Sequence, residues 1–214
     1  MKRMLVVLLG VLFASFTLLS AQDVVAEEVE EVVEAVEEEV GGNMGHDLVL
    51  GLNGGAMIPF GQNIKDVFGM GIPVSLNAQI PKLVNIQDLC VYAGLNLGYF
   101  MAAADVGDDL SGIVVAPYGG LDMSKFMPAN MKLAVELGVG GYFLTRTDSY
   151  AGAGINGAVV AGYDLNDVVE NLGVVVKLGG HEILTGPSKD ADGTMEWLDV
   201  RLGVEYKLPE VFPF

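Results

Sequence analysis

An all-β fold follows from three observations on the 214-residue chain. From Asp47 onward apolar residues recur with a period of two. One parity of each such run carries no charge through its central span, and the other parity is rich in glycine, alanine, asparagine, serine and tyrosine. A period of two is the signature of a strand with two unlike faces. Eight runs show it, at 47–59, 71–81, 89–101, 112–123, 131–144, 150–165, 172–183 and 196–208. Turn formers separate them, among them Gly61-Gln62-Asn63, Val106-Gly107-Asp108-Asp109, Pro128-Ala129-Asn130 and Gly186-Pro187-Ser188.

Composition narrows the setting. The chain is 51% hydrophobic, only 18% charged, and holds 29 glycines and one cysteine, with a formal net charge of −17. Such acidity argues against a nucleic-acid partner, which needs a basic surface to displace phosphate counterions. A single cysteine excludes an internal disulfide framework and any multi-cysteine metal cluster.

In chain order, the first element is an export address. Met1-Lys2-Arg3-Met4 is basic, Leu5 to Leu19 is an apolar run, and Ser20-Ala21 supplies small residues. This is the layout of a signal peptide over 1–21, with cleavage expected after Ala21. The run is short for a spanning helix, which needs about 20 residues.

Residues 22–42 follow as an acidic leader, with Asp23, Glu27, Glu28, Glu30, Glu31, Glu34, Glu37, Glu38 and Glu39 and no basic residue. Val25, Val29, Val32 and Val36 step by four, three and four, which is a helical stripe, and Gly41-Gly42 is its stop. Glutamate repulsion and valine's modest helix propensity leave either a short helix or a solvated periplasmic tail.

Residues 43–214 make the third element. The apolar parity reads Leu48, Leu50, Leu52; Ile72, Val74, Leu76; Leu95, Leu97; Ile113, Val115; Val135, Leu137; Ile155, Val159; Val174, Val176, Leu178; Leu198, Val200, Leu202, Val204. The opposite parity holds Asn53, Ser75, Asn77, Gln79, Asn96, Tyr118 and Tyr142. It also carries the charges Asp122, Lys132, Glu136, Asp164, Lys177, Asp199, Arg201, Glu205 and Lys207. A water-facing surface would be rich in Lys and Glu. Small residues with four basic and five acidic groups suit the crowded interior of a narrow barrel, with the leucines turned toward lipid. Strand lengths agree, since a tilted spanning strand needs about 9–11 residues. The predicted fold is therefore an eight-stranded antiparallel up-and-down transmembrane β-barrel, closed because an open edge in hydrocarbon would leave backbone groups unpaired. An even strand count puts both termini on one side, the periplasm, and makes the connections near 60–70, 102–111, 145–149 and 184–195 the outer loops. Phe60, Tyr99, Phe100, Phe143, Tyr150, Tyr163, Trp197 and Tyr206 fall near strand ends, as interfacial girdles require, although several point inward by parity.

The last strand carries Arg201-Leu202-Gly203-Val204-Glu205-Tyr206-Lys207-Leu208, and the chain ends in Phe214. It resembles the C-terminal assembly signal of bacterial outer-membrane barrels, with Arg201, Gly203, Tyr206, Leu208 and Phe214 in the matching places. The whole of 43–214 is similar to the OmpA/OmpX barrels and their OmpW-like relatives. Gly54-Gly55-Ala56-Met57-Ile58-Pro59-Phe60-Gly61 with Phe68-Gly69-Met70-Gly71 is similar to their first hairpin. The resemblance implies recognition by the outer-membrane assembly machinery. The tail Pro209-Glu210-Val211-Phe212-Pro213-Phe214 departs from the pattern, and its prolines place it outside the sheet.

The candidate functional residues are the interior charges Asp122, Lys132, Glu136, Lys177, Asp199, Arg201, Glu205 and Lys207. Asp122 and Lys132 flank the turn near 127 symmetrically and are expected to face each other. Glu136, Lys177, Arg201 and Glu205 are expected to form a central network, since a lone interior charge is strongly destabilising. Cys90 is expected inside as a packing residue. His181, Glu182 and Ser188 are the residue types of a lipid hydrolase but read as rim and loop residues, so no enzyme is predicted. Asp190, Asp192, Gly193, Thr194 and Glu196 match part of a calcium loop, but Ser188 stands where its first aspartate belongs. These acids with Asp105, Asp108 and Asp109 are candidates to share divalent cations with surface glycolipid. His46 carries no metal argument, and no cofactor is expected. The chain is thus expected in the bacterial outer membrane, among its lipids, in a structural or surface-interaction role with a lumen plugged by paired charges. A narrow channel for small or hydrophobic solutes is the alternative, and a lipid-modifying enzyme the second.

Overall fold

The computed structural model describes residues 46–86, 89–105 and 107–212. The signal peptide, the acidic leader and Phe214 lie outside the described residues. Eight strands follow one another: β1 (His46–Pro59), β2 (Phe68–Ile86), β3 (Leu89–Ala104), β4 (Leu110–Asp122), β5 (Met131–Thr145), β6 (Ser149–Asp164), β7 (Leu172–Ile183) and β8 (Met195–Phe212). Each pairs antiparallel with its sequence neighbours, and β1 pairs with β8 to close the ring. Every strand predicted from periodicity is present, with shifted ends.

Alternation fixes which side of the ring each residue takes. Leu52, Leu76, Leu97 and Val115 lie in one cross-strand row, and all four are exposed on the outside. Asn53, Ser75, Gln79, Glu136, Lys177 and Asp199 are buried within. This inverts a water-soluble protein and matches a barrel solvated by lipid.

Two turns at the end where β1 starts and β8 finishes, the terminal end of the barrel, contain Asn130 and Asn171 in left-handed backbone conformations, φ 67° and 63°. Asparagine tolerates that region better than other side-chain-bearing residues. At the opposite, distal end the connections are 60–67, 105–109, 146–148 and 184–194. The first is wound into a helical turn, with the Ile64 and Lys65 amides donating to the Gly61 carbonyl and the Phe68 amide donating to that of Ile64. It is tied across the mouth by Phe60 and Gly61 amides donating to the Glu196 carbonyl and by Asn63 Nδ2 donating to that of Thr194.

Two boundary expectations are corrected. β2 runs past Pro81 to Ile86, because a register shift between Ile80 and Val84 absorbs the proline. The tail from Pro209 to Phe212 belongs to β8 rather than lying outside the sheet, with Phe212 opposite His46. β7 begins at Leu172, opposite Tyr206, so Pro209 lies beyond its neighbour, where a missing N–H breaks no ladder bond.

Candidate functional site: the charged lumen

The interior is organised along the barrel in three zones. At the distal end Met57, Ile64, Phe68, Phe100, Ala102, Leu110, Leu144, Ile183, Met195 and Trp197 form a buried apolar cluster. Phe68 and Phe100 rings lie 6.0 and 6.3 Å from Trp197. At the terminal end Tyr92, Tyr118, Ala134, Val160 and Val175 form a second, smaller one. Polar and charged side chains fill the middle.

Glycines make room for this filling. Tyr92 lies over Gly120, Tyr118 over Gly94 and Phe100 over Gly112, each pair directly opposed between β3 and β4. A Cβ at these glycines would come within 2.1, 2.5 and 2.5 Å of the facing ring. The high glycine content of the inward parity is thus space for aromatic rings laid flat across the neighbouring strand.

The interior charges separate into distinct sets. The buried carboxylate of Glu136 accepts from Lys177 Nζ at 3.0 Å and from the Tyr92 hydroxyl at 3.1 Å, while the Lys177 ammonium stands 5.7 Å from the centre of the Tyr118 ring. Asp199, on β8, accepts from Arg201 Nη2 and sits 2.7 Å from His181 Nε2, and the Tyr142 hydroxyl lies 2.8 Å from His181 Nδ1. His181 Nε2 is also 2.5 Å from Arg201 Nη2, so one ring nitrogen faces both the carboxylate and the guanidinium. Arg201 also reaches Ser75 Oγ at 3.4 Å. Lys132 pairs with Glu205 across the terminal end of the lumen. Between the first two sets lies a cavity of about 40 Å³, lined by Asn77, Asn96, Asn156 and the charged side chains.

Four expectations change accordingly. Asp122 does not face Lys132. The register pairs Asp122 with Ala134, and its carboxylate instead accepts from the amide and hydroxyl of Ser124, the first residue of the 3-10 turn Ser124–Phe126. Glu136, Lys177, Arg201 and Glu205 do not form one network, because Arg201 turns to Asp199 on its own strand and Glu205 to Lys132. His181 is not a rim residue. It is buried in the lumen, on the parity of Lys177, whereas Ser188 belongs to the 184–194 connection. Lys207 stands at the terminal rim, where it pairs with Asp47 at 2.7 Å. Phe100 and Trp197 are interior, while Phe60, Tyr99, Phe143, Tyr163 and Tyr206 are exposed outside.

Other named residues have local roles. Cys90 Sγ lies 2.9 Å from Asn85 Oδ1. Asp109 accepts from the Ala104 amide and Asp108 from the Thr147 hydroxyl. Among the described residues no three His, Cys, Asp or Glu side chains converge on a metal position. Of the signal-like residues, Arg201 and Gly203 point into the lumen by parity, and Tyr206 points outward.

No family model and no curated protein matches the sequence. Solved structures do. Neisserial surface protein A is 13% identical over 77% of this chain and 98% of its own, with a TM-score of 0.53. Ail, the attachment invasion locus protein of Yersinia pestis, is 11% identical over 77% and 100%, with a TM-score of 0.46. The outer membrane protein OprG from Pseudomonas aeruginosa is 12% identical over 79% and 99%, with a TM-score of 0.47. A closed ring of eight antiparallel strands, apolar outside and polar within, gives this chain the fold of the small eight-stranded outer-membrane β-barrels.

Proposed function

We propose that this chain resides in the bacterial outer membrane as a sealed barrel with a structural or surface-interaction role. In this reading the termini face the periplasm, residues 1–21 direct export, and 22–42 form an acidic periplasmic leader. The assembly machinery reads Arg201, Gly203, Tyr206, Leu208 and Phe214. The distal connections form the presented surface, where Asp105, Asp108, Asp109, Asp190 and Asp192 share divalent cations with surface glycolipid.

The observation that carries this reading is the apolar filling of the distal mouth. Met57, Phe68, Phe100, Leu110, Leu144, Ile183, Met195 and Trp197 are each 2% exposed or less. An ion crossing that layer would shed its hydration without receiving polar partners. The cavity between the two charge sets, about 40 Å³, has room for a few water molecules. The charged lining of that cavity favours a narrow channel as the second reading.

Planar-bilayer recording tests the proposal. The wild-type protein is expected to show no steady conductance, and a Phe100→Ala, Trp197→Ala double variant to acquire one. Steady wild-type conductance altered by Glu136→Ala or Arg201→Ala would instead establish the channel.

A further inference from the structure

The ring closes where β1 meets β8, and two contacts there are unlike the rest of that seam. Asn53 of β1 is directly opposite Gly203 of β8, and Gly55 is opposite Arg201. The Asn53 side chain leans across the seam, so that a Cβ at Gly203 would come within 2.1 Å of its Oδ1 and 2.7 Å of the Leu52 carbonyl oxygen. Asn53 is 2% exposed, and neither polar atom of its amide has a hydrogen-bond partner among the described residues. Its grip on β8 is therefore one of shape. One step along, a Cβ at Gly55 would lie 1.9 Å from the Val200 carbonyl oxygen and 2.8 Å from Arg201 Cα. Those are backbone atoms and cannot rotate aside.

The inward residues of β8 from Asp199 to Lys207 are Asp199, Arg201, Gly203, Glu205 and Lys207. Gly203 is the single small one. A two-residue slip of the seam in either direction would bring Asn53 against Arg201 or Glu205. A one-residue slip would turn the β8 charges toward lipid. From this geometry we infer that Asn53 and Gly203 form a size-matched socket that selects the register in which the first and last strands close, while Gly55 lets the two backbones approach beside it. Gly203 then acts within the molecule, independently of any receptor that reads the last strand.

Refolding into phospholipid vesicles without assembly machinery tests this in the full mature chain. Closure is read from gel mobility before and after boiling. Register is read from disulfide formation between Leu50→Cys and Tyr206→Cys, which are directly opposed, against Leu50→Cys with Val204→Cys, both in a Cys90→Ser background. Gly203→Ala should lower the closed-to-open ratio about tenfold, as overpacking of a tight contact does. Adding Asn53→Gly removes the nearest contact and leaves the one to the Leu52 carbonyl oxygen, so it should recover part of that loss and strengthen the Leu50–Tyr206 crosslink. A Gly203→Ala protein that closes like wild type would overturn the inference, as would a loss that Asn53→Gly leaves unchanged.

Discussion

Tyr92 lies flat across Gly120, close enough that a Cβ on the glycine would meet the ring Cζ at 2.1 Å. The neighbouring Gly119 faces outward, and its Cβ would find nothing nearer than the Tyr92 carbonyl oxygen at 3.8 Å. Gly120→Ala should therefore destabilise the barrel by about 1–3 kcal/mol, the usual cost of overpacking. Gly119→Ala should be within about 0.5 kcal/mol of wild type. Urea unfolding in lipid vesicles compares the two, and equal effects would remove the packing role given to the inward glycines.

Glu136 and Lys177 are both buried and hold each other at 3.0 Å. Lys177→Met strands the carboxylate with only the Tyr92 hydroxyl, at a cost of about 3–5 kcal/mol. Adding Glu136→Gln removes the stranded charge and should return most of that stability. The double-mutant cycle, read from unfolding midpoints, is expected to show strong coupling.

On the exterior, Leu97 stands in the row Leu52, Leu76, Leu97 and Val115. Leu97→Arg puts a guanidinium against acyl chains and should cost about 2–4 kcal/mol if the row lies near the bilayer midplane. Unfolding free energies in vesicles check it. A Leu97→Arg protein as stable as wild type there would contradict the lipid-facing assignment.

The Tyr142 hydroxyl lies 2.8 Å from His181 Nδ1, and both side chains are buried in the lumen. Tyr142→Phe leaves the ring volume intact and deprives Nδ1 of its partner. The expected loss is about 1–3 kcal/mol. In NMR spectra of the micelle-bound protein, the His181 ring resonances should shift while those of distal-loop residues stay in place.

The strands and their faces are legible in the sequence because lipid outside and a narrow lumen inside impose opposite demands on alternate residues. His181 was legible too, since it shares the parity of Lys177 four positions earlier. Grouping it with the following loop hides that. The Asp122–Lys132 expectation fails for a reason no spacing rule contains. The β4–β5 ladder pairs Asp122 with Ala134, so the position opposite Lys132 is residue 124, which has already left the strand for the 3-10 turn. Which charges pair depends on side chains crossing the lumen between distant strands, as Lys132 and Glu205 do. The Ile64 side chain reaches the distal core only because its connection winds back over the mouth.

The final stretch of β8 outlasts β7, leaving one flank of the backbone with no strand beside it among the described residues. By alternation Pro209 shares the flank of Lys207, whose amide reaches the Asn171 carbonyl at 2.9 Å. The first free position on that flank therefore has no hydrogen to offer. An unprotected ribbon of this kind is where a stray peptide would add itself and seed sheet-to-sheet stacking. The imino acid blunts that site, so crowded copies of the molecule can sit side by side without zipping together through their ends.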